Sequence, residues 1–341
     1  MITSYRMTPK RRFLSALFGG RVDRTPVGSA TSVATVEQEE MTGCYFPEAH
    51  VDGVKMAHLA AGAYEILGYD CIMPVFSVVA ESAALGCEID WGDKENMPIN
   101  RSSPWKEPED VVIPDDFLER PTTKACLDAI KILRKTYGDR VAIMGKVMGP
   151  WTLAYHMHGI QDFLMETITE PEKVRLFLTK LKEITILFGK AQIEAGADVL
   201  CVADHATGDL VSAKTYFDFL LPLHKELTLK IGCPMVLHIC GNTLDRMKYI
   251  AESGFDCFHF DSKVDAKDAV KEIDGKISLM GNVNNPEVLL NGNPSEVSEK
   301  VAYALRAGVQ IVGPECAVPL KTPLENLKEI VNAVESFFEC V

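Results

Sequence analysis

One histidine and two cysteines carry the strongest chemical signal in the sequence. His238 and Cys240 stand two apart in "PMVLHICGN" (234–242), and Cys316 follows much later in "GPECAVPL" (313–320). On a strand, residues i and i+2 leave the same face, about 6.6 Å apart at Cα for a rise of about 3.3 Å per residue. An imidazole and a thiolate at that spacing can lean onto one zinc ion, with Zn–N of about 2.0 Å and Zn–S of about 2.3 Å. A third ligand must then come from another strand, and Cys316 is the best-placed candidate. The plainer alternative is a satisfied interior histidine beside small core cysteines, the usual fate of such residues one at a time.

A set of one imidazole and two thiolates selects zinc over magnesium or calcium, and three protein ligands leave a fourth position open, as in catalytic sites. Two thiolates already neutralise the ion, so it generates hydroxide poorly but holds a further thiol well. A coordinated thiol loses its proton and becomes an electron-rich nucleophile. The chemistry expected is alkyl transfer to sulfur.

These residues have to be positioned by a scaffold, and the sequence has a regular rhythm of short apolar runs and helical patterns. The runs cover 26–33, 71–78, 141–149, 199–207, 234–241, 257–264, 277–284 and 309–317. Most of the intervening helical segments stop at a glycine, and the last places Asn293 at the N-cap and Pro294 at the first helical position. Strands alternating with helices imply a parallel sheet. Eight such units close into an α/β (β/α)8 TIM barrel, with a doubly wound sheet as the structural alternative.

We expect residues 1–341 to form a single barrel domain, with an N-terminal helical extension over 1–25. The Pro- and charge-rich stretch 79–121, after the second strand, reads as a rim or lid insertion. In this fold the chemistry lies at the C-terminal ends of the strands. The groups gathered there are Glu81, Tyr155, Asp204, His205, His238, Cys240, Asp261, Asn282, Glu315 and Cys316.

Composition removes several classes of function. A formal net charge of -13 with no basic stripe argues against nucleic acid as a partner. No apolar run reaches the eighteen or so residues that span a bilayer, so no membrane association is expected. The N-terminal stretch lacks an uninterrupted hydrophobic region of the secretory kind, and a cytoplasmic protein is the expectation. The ten cysteines are then free thiols or metal ligands. His156 and His158 in "YHMHG" run into a helix, where i and i+2 do not face each other, so metal binding is not expected there. "ADHATGDL" fails the spacing of a corrinoid-binding D-x-H-x-x-G, because Asp204 and His205 are adjacent. No H-E-x-x-H, Walker loop or G-x-G-x-x-G is present.

Several longer stretches carry a family likeness. "TPKRRFLSALFGGRVDRTPV", "GPWTLA", "GADVLCVADHATGDLVS", "LHICGN", "GNVNNPEVLLNGNPSEV" and "GPECAVPL" resemble the uroporphyrinogen decarboxylase superfamily. Within it they are similar to the methylcobamide:coenzyme M methyltransferases of methanogenic archaea. The resemblance implies a zinc motif on His238, Cys240 and Cys316, with one zinc per chain. It implies that coenzyme M binds the metal through sulfur and attacks the methyl group of a methylcobamide presented by a separate corrinoid carrier protein, giving methyl-coenzyme M. The segment 79–121 is expected to frame the docking surface. Lys146, near the end of the third strand, is a candidate donor to the sulfonate. Asp204, Asp261 and Asn282 are candidate pocket residues, and Asp261 is a candidate for the open metal position before substrate arrives. The donor pathway, methanol or methylamines, is not encoded in any motif.

The decarboxylase branch has an "RQAGRY"-like segment after its R-x-P-V. Here Arg24-Thr25-Pro26-Val27 is followed by "GSATSVATVEQEE", with no arginine pair for porphyrinogen carboxylates. Decarboxylation is therefore the second reading, and a non-catalytic protein that binds a thiol or a corrinoid carrier is the third.

Overall fold

The computed structural model describes residues 6–339; residues 1–5 of the expected N-terminal extension and Cys340 lie outside them. Among the described residues nine strands follow one another: β1 (Cys71–Ile72), β2 (Ile89–Asp90), β3 (Ile99–Asn100), β4 (Ala142–Met148), β5 (Val199–Ala203), β6 (Met235–Ile239), β7 (Cys257–Phe260), β8 (Ser278–Val283) and β9 (Ile311–Pro314). Seven form one sheet in the order β1-β4-β5-β6-β7-β8-β9, every neighbouring pair parallel. β2 and β3 make a separate antiparallel hairpin within residues 79–121.

The first expected strand, over 26–33, is reduced to a bridge between Val27 and Val312 of β9. That bridge still closes the ring. Gly28 N donates to Val312 O at 3.0 Å, Val312 N to Pro26 O at 3.0 Å, and on the other side Asp70 N donates to Val27 O at 2.7 Å. The two backbones meet where neither has a side chain, since a Cβ on Gly313 would lie 1.8 Å from Gly28 O. The buried Asp70 carboxylate, just ahead of β1, accepts from Val27 N at 2.8 Å and pairs with Arg12 at 2.6 Å and Arg24 at 2.9 Å. Arg12 belongs to the helix Pro9–Leu17, which packs against β1, β4, β8 and β9.

The barrel strands are buried on both faces, as parallel strands covered by helices must be. The long helices Pro171–Ala195 and Pro294–Ala307 end at Gly196 and Gly308 in the left-handed conformation. Asn293 caps the second through a reciprocal box with Glu296, as the sequence predicts. Within residues 79–121, Trp105 N donates to Met157 O at 2.8 Å and Ser103 Oγ to His156 O at 3.0 Å, tying this stretch to the end of the helix Pro150–Met157 that follows β4. The β2–β3 hairpin turn reaches the loop after β9 through a Lys321–Glu95 ion pair at 2.7 Å. Among the described residues, no helix is long and apolar enough to cross a membrane.

Candidate metal centre

β6 delivers His238 near its C-terminal end, in register with Ala203 of β5 and His259 of β7. Cys240 follows two residues later on the same face, and Cys316 lies two residues past the end of β9. Two strands, β7 and β8, lie between these two ends in the sheet order, yet the barrel's curvature brings their side chains together. His238 Nε2 lies 3.1 Å from Cys240 Sγ and 3.4 Å from Cys316 Sγ, and the two sulfurs are 3.2 Å apart. Among the described residues, these three form the group of potential ligands compact enough to hold one metal ion.

The hydrogen bonds fix the chemistry of the imidazole. His238 Nδ1 lies 3.2 Å from His259 O, and a carbonyl can only accept, so Nδ1 carries the proton and Nε2 presents its lone pair to the sulfurs. The two thiols divide their acidity. The hydrogen bond from Cys240, with His238 nearby, holds Cys316 well below the ordinary thiol value, while the same contact pushes Cys240 well above it. Tetrahedral zinc with ordinary bond lengths separates such donors by about 3.6 to 3.8 Å, a few tenths of an ångström wider than the triangle seen here. The donor set and its geometry fit zinc.

Beside the triad lies a cavity of about 160 Å³, lined by Thr31, Phe76, Met148, His156 and His205 as well as Lys146. At about 30 Å³ per water this is room for roughly five waters, enough for a thiol of a few heavy atoms and far too little for a tetrapyrrole. Lys146 is 2% exposed, and its Nζ meets Phe76 O at 3.4 Å. No ion pair is seen for it among the described residues, and burial pushes its pKa down. Its backbone is clamped in both directions by Gln192, whose Oε1 accepts from Lys146 N at 2.9 Å and whose Nε2 donates to Lys146 O at 2.8 Å. Gly145 permits that approach, since a Cβ there would lie 2.5 Å from Gln192 Oε1.

Asp204 also borders the cavity, but its carboxylate is engaged on both oxygens. Oδ1 accepts from Thr152 N at 2.8 Å, and Oδ2 lies 3.0 Å from Nε2 of the buried His224, whose Nδ1 meets Tyr216 OH at 2.9 Å. Asp261 and Asn282 do not line the cavity. Asp261 accepts from Gly241 N at 2.8 Å and Lys263 N at 2.9 Å, shaping the turn just after Cys240. Asn282 Nδ2 donates to Val264 O at 2.9 Å. Glu315 joins two further loops, accepting from Asn285 N at 2.7 Å and Ser262 N at 2.9 Å. Tyr155 OH accepts from Trp151 Nε1 at 2.7 Å, and Glu81 accepts from Met148 N at 2.7 Å.

The sequence does not single out His156 as a pocket residue. Testing "YHMHG" for metal spacing alone misses that the helix Pro150–Met157 ends at the barrel mouth and turns this ring inward. Burial lowers His156 to about 4, so the ring is neutral, and its Nδ1 has no partner. His158 instead bonds Trp105 O at 3.0 Å.

A family model described as uroporphyrinogen decarboxylase (URO-D) matches residues 8–337. The chain belongs to the uroporphyrinogen decarboxylase family. Within that family it is similar to a methylated-thiol–coenzyme M methyltransferase of Methanosarcina mazei, 37% identical over 96% of this chain and 89% of the relative. It is also similar to a methylcobamide:CoM methyltransferase of Methanosarcina barkeri, 34% identical over 97% of this chain and 98% of the relative. Among solved structures, a methyltransferase from Methanosarcina mazei superposes with a TM-score of 0.94 at 33% identity, covering 98% of this chain and all of the other. The (β/α)8 architecture expected from the sequence is thus that of a solved family member.

Proposed function

We propose that this protein transfers a methyl group from a methylated corrinoid, held by a carrier protein, to the thiol of coenzyme M. The observation that carries the reading is a His238–Cys240–Cys316 triad opening onto a cavity sized for a small thiol. The names of the relatives supply the acceptor, and the chemistry of the donor set is in keeping with it.

His238, Cys240 and Cys316 would hold zinc, which would supply the Lewis acidity to keep the substrate thiol deprotonated at neutral pH. The residues of this chain then do the rest. His259 O keeps His238 in the tautomer that offers Nε2. Lys146, buried without a carboxylate partner, receives the sulfonate at the far end of the substrate by a charge-assisted bond. Phe76 and Met148 exclude water from the short chain between the two ends. The sulfur attacks the methyl carbon; the carbon–cobalt bond breaks with its electron pair left on cobalt, so Co(III) becomes Co(I). The thioether of coenzyme M is the product.

The corrinoid ring is too large to enter, so its methyl group must be presented from above. The segment 79–121, braced against the helix Pro150–Met157 and the loop after β9, is our candidate for the surface that meets the carrier. The same size argument weighs against a porphyrinogen substrate, as does the missing arginine pair.

The test is incubation of the zinc-loaded protein with methylcobalamin and coenzyme M, following the visible spectrum of the cobalt. A rapid, enzyme-dependent loss of the methyl-Co(III) spectrum with formation of methyl-coenzyme M is expected. Full turnover by metal-free protein, or carbon dioxide release from uroporphyrinogen in its place, would overturn the reading. Because one relative is named for methylated thiols, a parallel incubation with a methylated thiol and coenzyme M tests for that donor.

A further inference from the structure

His259 is a histidine that the methyl-transfer scheme uses only through its backbone, yet its side chain is fully buried in the barrel interior. Its ring lies under that of His238, centroids 4.6 Å apart and planes 35° from parallel. The two residues are register partners on β6 and β7. Two bonds radiate from it in opposite directions along the sheet. Its carbonyl accepts from Nδ1 of His238, and its own Nε2 lies 2.8 Å from Pro314 O, at the end of β9.

A carbonyl can only accept, so Nε2 is the protonated nitrogen; Nδ1, buried and without a partner, is left with a bare lone pair. A neutral ring that forgoes one hydrogen bond must be fixed by the other. Pro314 stands two residues before Cys316. The imidazole therefore crosses the intervening β8 beside Gly281, where a Cβ would meet His259 Cδ2 at 3.7 Å, an ordinary packing distance. Apart from the three candidate ligands themselves, no other side chain among the described residues bonds both ligand-bearing strand ends.

We propose that His259 is a positioning residue for the metal centre, setting the separation between the β6 end that bears His238 and Cys240 and the β9 end that leads to Cys316. The proposal rests on the reading of the triad as a metal site. It concerns preorganisation: the three donors are held within bonding range of one ion before any ion arrives. Outer partners of metal ligands are worth roughly 10- to 100-fold in affinity, and a bond that aligns two strands at once belongs in that range.

The test is zinc affinity of the metal-free protein, measured by competition with a chromophoric chelator, together with the visible spectrum of the cobalt(II) form. His259→Phe keeps the ring volume and loses the N–H; it is expected to bind zinc about 10- to 100-fold more weakly, with altered cobalt(II) ligand-field bands. His259→Gln places an amide N–H near the position of Nε2 and is expected to return the affinity to within a few-fold of wild type. If His259→Phe does not fold, His259→Asn, polar but too short to reach Pro314, takes its place with the same expected loss. A variant that is less heat-stable yet binds zinc with wild-type affinity and an unchanged cobalt spectrum overturns the proposal. A wild-type chain that takes up no stoichiometric zinc overturns the functional reading instead.

Discussion

Replacing Lys146 by Met removes a charge while keeping most of the side chain's length. The ammonium sits 2% exposed, with one carbonyl at 3.4 Å and burial pushing its pKa down. Burying a cation without a counter-ion is unfavourable, so the metal-free variant should be at least as heat-stable as the parent. Substrate recognition should move the other way. A hydrogen bond to a charged group is worth about 1.5 to 3 kcal/mol, which converts to roughly 10- to 150-fold in affinity. The assay is methyl transfer from methylcobalamin to coenzyme M and, separately, to 2-mercaptoethanol, which has the thiol but no anion. For coenzyme M, KM should rise by about 10- to 150-fold; for 2-mercaptoethanol it should scarcely change. Equal losses with both thiols would refute anion recognition by Lys146, as would no loss with either.

Further outcomes follow from the same geometry. Cys316→Ser should lower the zinc content from about one per chain under mild chelation and reduce methyl transfer by at least about 100-fold, read by metal analysis and rate, because serine is a far poorer zinc ligand. Burial pushes the Glu81 carboxyl from 4.5 up to about 7, so the folded protein keeps a proton that the unfolded chain releases. Its contribution therefore makes stability fall as pH rises through that window, by up to about 3 kcal/mol, and Glu81→Gln should flatten this slope in melts at pH 5 and 8. Gly313→Ala would drive a methyl group into Gly28 O and should destabilise the barrel by about 1 to 3 kcal/mol or more, seen as a lower Tm.

The sequence was legible where residue type and spacing act locally. The i, i+2 separation of His238 and Cys240 needs only a strand, and the glycine stops and Asn293 cap need only a helix end. Strand counting also brought Cys316 to the same end of the barrel. What stayed hidden depends on packing. The first strand is reduced to one bridge, beside which Gly28 and Gly313 meet backbone to backbone, a contact that no run of residues announces. Asp261 and Asn282 sit at strand ends as expected, but there short polar side chains bond the nearest loop amides and carbonyls rather than reach the cavity. His259 is hidden inside an apolar run, "CFHF", where its role depends on a carbonyl 55 residues away.

The triad also has a topological consequence. Cys240 and Cys316 are 76 residues apart in the chain, so an ion bound by both closes a long loop containing β7, β8 and the helix Pro294–Ala307. For a covalent cross-link, a loop of that length corresponds to about 4 to 5 kcal/mol of chain entropy removed from the unfolded state. A metal bond is weaker and exchangeable, but it restricts the same ensemble. The ligands that ready a sulfur atom for attack would thus also serve as a reversible staple across the last third of the barrel, tying the protein's durability to its metal supply.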